Sequence, residues 1–238
     1  MMDNDIHLKL LANLPIDVGV GKFQLPPIKE IIDMGESTYY GYFNILNFKK
    51  DILQSEEDFE GLSDFDVMGM VLFHSPLHRE MAINAYKLFL NKEMKVTRLD
   101  DSYVIFFDDL DNVLSEEKWE YVKKVSRIGN FIQDSKEEYK AGNEKARKLI
   151  EKIMNRKKQE VPKEEKINLR SILSAVAWRT NGIDSLLDKT IYQLYDGFYR
   201  LRFVDSYNQI YTGIYTGNVD QSKIKLPDYD WANVINIK

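Results

Sequence analysis

Apolar positions recur at helical spacing through most of the chain and alternate at strand spacing in a few short stretches. Near the start, HLKLLANLPIDV and GVGKFQL predict two short extended runs, with Pro15, Gly19 and Gly21 as turn residues. A small hairpin is expected there. Pro26 and Pro27 end the extended part, and Pro27 suits the start of a helix carrying Ile28, Ile31 and Ile32, closed by Gly35. The next helix, STYYGYFNILNF, places Tyr39, Tyr42/Phe43 and Leu46 on one side despite Gly41.

An acidic surface loop is expected over 55–60, followed by a helix capped by Ser63 with Phe65, Met68 and Val71/Leu72 inward. FHSPLHRE ends that helix and starts another, because Ser75 can cap and Pro76 fits the first helical position. The second helix carries Met81, Ala85, Leu88 and Phe89 and ends near Asn91. MKVTRL and SYVIFF around Asp100-Asp101 predict a central β-hairpin. Ser115, two glutamates and then Trp119, Val122, Val125 and Ile128 predict a helix of about four turns. The fold class is therefore α+β, predominantly helical, with small N-terminal and central hairpins and a helical C-terminal module.

Charge divides the second half. Residues 144–166 hold nine Lys/Arg and five Asp/Glu, so this stretch is +4 while the rest of the chain is -9. A mostly charged helix is expected from Asn143 to about Lys158, with Ala146, Leu149, Ile150 and Ile153 as a narrow apolar stripe, before the linker-like KKQEVPKEEK with Pro162. The expected organisation is an α+β domain over 1–142, a connecting helix and linker over 143–166, and a C-terminal module over 167–238.

That module is aromatic: residues 178–231 hold 11 of the chain's 29 Phe, Tyr and Trp, well above their share by length. Asn168 or Ser171 can start a helix with Leu169, Ile172/Leu173 and Val176, ended by Asn181-Gly182. A further helix capped by Asp184 is expected to run through Ile191, Leu194, Phe198 and Leu201, with Tyr192, Tyr195, Tyr199 and Arg202 on a neighbouring face. Tyr with Arg is the composition of interface hot spots, which makes those four the candidate partner-binding residues; core packing is the alternative use of the same face. After Asn208, YTGIYTGN with Gly213 and Gly217 predicts a loop or irregular tail.

The chain has no cysteine, which removes disulfides, Cys-ligated zinc, iron–sulfur clusters and a catalytic thiol. The acidic start MMDNDIHLKLL is not a secretory signal, and no run reaches the ~18 apolar residues of a membrane span. A net charge of -5 gives no global nucleic-acid footprint, and the basic Arg156-Lys157-Lys158 cluster is separated from the aromatics. His74 and His78 have zincin spacing, but Pro76 sits between them and no glutamate follows His74. Asp108, Asp109 and Asp111 at a strand end could hold a divalent cation, although acids of this kind commonly occupy turns. GVG at 19–21 lacks the third glycine of a dinucleotide loop, and neither a Walker loop nor a nucleophile elbow is present. No catalytic residue, metal or cofactor is expected.

The stretch INLRSILSAVAWRTNGIDSLLDKTIYQLYDGFYRL, with the later YTGIYTGN, resembles a pattern in small phage-encoded proteins of low-GC Gram-positive hosts, many of them tail-assembly or other virion-morphogenesis proteins. The resemblance covers about the last third of the chain, with a looser echo in LANLPIDV and GKFQLPPIKEIIDMG. The matching positions are Thr190, Ile191, Tyr192, Gln193, Leu194, Tyr195, Asp196, Phe198, Arg200 and Leu201; Leu187-Asp188-Lys189 stands where the pattern often has Trp-Asp-Leu. The resemblance implies a non-enzymatic tail-assembly chaperone acting in the host cytoplasm, with a tape-measure or tail-tube protein as partner. From the apolar runs and the charge distribution neither a membrane nor a nucleic-acid partner is expected, and self-association is compatible with the reading. The competing readings are a structural virion component and, from another class, a metal-dependent nuclease using the Asp108 region.

Overall fold

The computed structural model describes residues 3–53, 59, 61–100, 102–132 and 168–235. The expected helix over 143–158, its linker and most of the acidic 55–60 stretch lie outside them. The described residues form a predominantly helical α+β fold.

The N-terminal segment departs from expectation. Asp3–Leu11 is a helix, α1, with Ile6 and Leu10 buried one turn apart and Asp3 and Asp5 at its positive end. It ends at Asn13 in the left-handed region, where the Leu14 amide donates to the Lys9 carbonyl at 2.8 Å. Only the tip of the expected hairpin is sheet, with β1 (Ile16–Asp17) antiparallel to β2 (Lys22–Phe23). Extended pairing cannot begin earlier because the segment's two buried residues, Ile6 and Leu10, stand four apart rather than two.

The next elements follow the sequence signals closely. Helix α2 (Ile28–Met34) stops at Gly35, whose φ of 88° suits glycine, and α3 (Glu36–Leu46) buries Tyr39, Phe43 and Leu46. Helix α4 (Asp64–His74) starts in a capping box between Ser63 and Asp66. Helix α5 (Pro76–Leu90) is capped by Ser75, carries Pro76 in its first turn and closes on left-handed Asn91. The central hairpin pairs β3 (Met94–Leu99) with β4 (Ser102–Phe107), and β5 (Asp109–Val113) extends it to three antiparallel strands. Asp109 and Asp111 therefore belong to an edge strand entered through a register shift at Phe106/Phe107, not to a simple turn. Helix α6 (Glu116–Gly129), capped by Ser115, buries Trp119, Val122 and Val125.

Polar ties fix these elements around the core. The Trp119 indole donates to the Leu46 carbonyl at 3.1 Å, and the buried Tyr39 hydroxyl donates to Asn130 Oδ1 at 2.8 Å. Past residue 167, α7 (Leu169–Arg179) is capped by Asn168 and buries Leu169, Ile172, Leu173 and Val176 in the same apolar cluster as α1 to α6.

The one helix expected from residue 184 is two. A short α8 (Asp184–Leu187) ends at Asp188, and Thr190 caps a new helix, α9 (Ile191–Tyr215). The break is tertiary in origin: the Ile28 amide donates to the Lys189 carbonyl at 2.8 Å, and Pro27 and Thr190 form an isolated antiparallel bridge. Thr190 is thereby held extended. At the other end, α9 runs on through the expected loop at 209–215. Its tyrosines account for this, because Tyr207, Tyr211 and Tyr215 stack at successive one-turn spacing, with ring centroids 4.3 and 6.5 Å apart.

Candidate partner interface

Helix α9 is anchored at its first turn and emerges afterwards. Thr190 Oγ1 accepts from the Gln193 amide while Gln193 Oε1 accepts from the Thr190 amide, and the Gln193 side chain also donates to the Leu11 carbonyl at 2.8 Å. Ile191, Tyr192 and Leu194 are buried, whereas no later residue of the helix is. Phe198 and Leu201 remain half-buried against the core.

The four candidate residues separate into two groups. Tyr192, Tyr195 and Tyr199 gather around Phe131, which follows α6 in a left-handed conformation (φ 57°). The Tyr192 ring lies tilted with its centroid 4.8 Å from that of Phe131, and the Tyr195 and Tyr199 rings lie near-parallel at 5.8 Å. Arg202 stands outside this group, exposed, with its guanidinium 5.7 Å from the Phe198 ring centroid. Helical spacing placed the tyrosines on one face, but nothing local to the sequence indicated that Phe131 would fill it. The nearest signal was an apolar residue just beyond the last turn of α6.

Tyr192 also meets α1. Its hydroxyl is 2.8 Å from His7 Nδ1, and the two rings lean together with centroids 6.0 Å apart. Partial burial of the imidazole holds His7 below its ordinary value, with Asp3 and Asp196 only partly offsetting this. Burial likewise pushes the Asp196 carboxyl above the usual carboxylate range against the pull of Arg200 and His7, and raises the Tyr192 phenol to about 12.

Beyond Leu201 the surface changes character. Arg179 of α7 pairs with Asp205 at 2.7 Å, and the tail after α9 folds back along the helix. Gly213 permits this return, since a Cβ there would lie 2.6 Å from Val219 Cγ2. Arg200 Nη1 then donates to the carbonyls of Trp231 and Asn233 at 2.9 and 2.6 Å. On α7, Trp178 is 88% exposed beside an open hollow of about 590 Å³ bordered by Leu173, Ala177, Thr180 and Ile183. Among the described residues, the aromatics left exposed are Trp178, Tyr215, Tyr229 and Trp231.

The residues considered for metal chemistry are engaged elsewhere. His74 Nε2 contacts the Tyr103 hydroxyl at 2.9 Å, whereas His78 Nδ1 contacts Ser75 Oγ at 2.7 Å. Asp108 is ion-paired with Lys92, and Asp109 Oδ1 accepts from the Asp111 amide at 3.2 Å. Among the described residues no group of three or more His, Asp or Glu is placed to share a metal ion, and no described helix is long and apolar enough to cross a membrane.

The family model described as the YomV second domain matches residues 157–236, the stretch that contains α7, α8, α9 and the returning tail. This similarity points to a phage-associated protein family. Neither the curated proteins nor the solved structures contain a match to the chain.

Proposed function

We propose that the protein is a non-enzymatic component of phage morphogenesis, a tail-assembly chaperone that acts in the host cytoplasm on a tape-measure or tail-tube subunit. One observation carries the reading. Trp178, Tyr215, Tyr229 and Trp231, the exposed aromatics of the described chain, all fall inside the stretch that matches the phage-associated family. Large aromatics held at the surface cost solvation that a monomer avoids by burying them, and they are favoured where a partner covers them.

A chaperone for an aggregation-prone subunit needs such a surface on an ordered helical frame, so that apolar segments of the client are covered without the chaperone itself unfolding. Helices α7 and α9 provide the frame, with Leu194 and Ile191 rooted in the core and Trp178 outward. Within the proposed face, Arg202 lies on the solvent-facing side of α9, whereas Tyr192, Tyr195 and Tyr199 support it from the Phe131 group.

Co-expression with the tape-measure and tail-tube proteins of the same phage, followed by affinity capture, tests the reading. Capture of one of them, increased yield of that subunit in the soluble fraction, and absence of this protein from finished particles are expected. Recovery of the protein as a stoichiometric part of purified virions would make it a structural component instead.

A further inference from the structure

The tail after α9 is held in an unusual way. None of residues 219–235 is buried: Trp231 is 52% exposed and Val234 78%. Its apolar residues Val219, Ile224 and Leu226 are only half-buried, so polar contacts carry much of what holds it. Its turns are closed internally, with the Asn233 side chain donating to the Pro227 carbonyl at 2.7 Å and Asp230 Oδ1 accepting from the Ala232 amide at 2.8 Å. Its attachment to α9 runs through Arg200, which binds two main-chain carbonyls, those of Trp231 and Asn233. Arg200 thus grips the peptide backbone rather than a side chain.

The side of α9 that receives the tail carries one of the exposed aromatics, Tyr215. Arg200, Tyr207, Tyr211 and Tyr215 recur at intervals of seven, four and four residues, which places them along one side of the helix. Tyr207 hydrogen-bonds Tyr211, which raises its phenol, and the negative charge of Asp230 in the tail adds to the rise. The tail meets α9 through Arg200 and through the 3-10 turn at Leu226–Tyr229, which packs against the helix.

We propose that residues 220–235 are a cis-acting strap, fastened by Arg200 across the tyrosine row of α9, which a partner must displace to dock there. A segment held by a few exposed hydrogen bonds opens at small free-energy cost, so a partner offering apolar contacts to Tyr207 and Tyr211 competes effectively with it. The displacement step rests on the chaperone reading; the strap itself does not.

Amide hydrogen exchange on the full-length chain tests the strap, comparing the unaltered protein with Arg200→Ala and with an Asp230→Ala/Asn233→Ala double variant that loosens the tail without touching α9. Exchange at 226–233 is expected to quicken roughly tenfold in both variants, the effect of losing hydrogen bonds to a charged or shaped partner, while α6 stays protected. Equal exchange at 226–233 in all three proteins overturns the strap, whatever the partner. Capture of the co-expressed tail subunit reads the second step: both variants should retain more of it than the unaltered protein. If exchange quickens but capture is unchanged or weaker in both variants, the strap exists and does not guard the docking face, and displacement is overturned. A complete failure to capture any tail subunit counts against the chaperone reading and the displacement step, and leaves the exchange result to decide the strap.

Discussion

Thr190 pairs with Pro27 in an antiparallel bridge, so the residue that caps α9 is also the residue that ties the C-terminal helices to the N-terminal half. It is almost wholly buried, its hydroxyl accepts the Gln193 amide, and its neighbour Lys189 accepts the Ile28 amide. Thr190→Ala removes the cap while leaving the bridge backbone intact. We expect a loss of about 1–2 kcal/mol, seen as a lower urea midpoint at unchanged slope, with Thr190→Ser recovering most of it.

Tyr86 offers the opposite case. Its ring is fully buried edge-on against Phe107 with centroids 5.0 Å apart, yet its hydroxyl has no hydrogen-bond partner among the described residues, and burial raises its phenol far above the ordinary value. An unpaired buried hydroxyl costs more than the same site filled with hydrocarbon. Tyr86→Phe should therefore stabilise the protein by about 1 kcal/mol, raising the thermal midpoint by about 2–4 °C for a chain of this size. A fall in the midpoint would reveal a partner for the hydroxyl.

His7 predicts a pH dependence. Its folded value is depressed by burial against Tyr192, so the unfolded chain binds the proton more readily than the folded one. Stability from this site is then full above the ordinary histidine value and declines as pH falls below about 6.5. Asp196, whose folded value is raised, works in the opposite direction, but in the more acidic carboxylate range. Denaturation midpoints measured between about pH 7.5 and 5.5 should fall for the unaltered protein and fall less for His7→Gln, which keeps a hydrogen-bonding group near Tyr192. Identical slopes would mean that the imidazole titrates alike in both states.

These predictions concern places that differ in how far the sequence disclosed them. Ser63, Ser75, Ser115 and Asn168 act as caps as their spacing indicates, because a cap is decided by residues three apart in the same segment. The central hairpin was legible for the same local reason. The start of α9 was not: Asp184, expected as its cap, is instead the first residue of α8 and caps nothing, and Pro27 holds residue 190 extended. Strand β5 was hidden by its acidic residues, which suit a solvent-exposed edge as well as a turn. On the candidate face, periodicity grouped Tyr192, Tyr195 and Tyr199 correctly, but the ring that joins them, Phe131, comes from a segment distant in the chain. Arg200, which grips the returning tail, stood in the phage-like motif without any local sign of that contact.

The division between fold and partner surface gives the last prediction. Phe131 contacts three tyrosine rings and is partly buried against the core, so Phe131→Ala should cost about 2–3 kcal/mol, somewhat less than a fully buried Phe. Trp178 has the opposite surroundings: 88% exposed on α7, its side chain supports little of the protein's own packing. Trp178→Ser should leave stability within about 0.5 kcal/mol, or improve solubility slightly by removing an exposed apolar group. If the α7 and α9 surface takes a tail subunit, the same change should reduce capture of that subunit by tenfold or more, as loss of a hot-spot aromatic does at roughly 2 kcal/mol. Thermal denaturation and co-expression capture of the two variants separate the roles. Should Trp178→Ser destabilise the protein as much as Phe131→Ala, Trp178 is a packing residue and the exposed aromatics lose their weight as evidence for a partner.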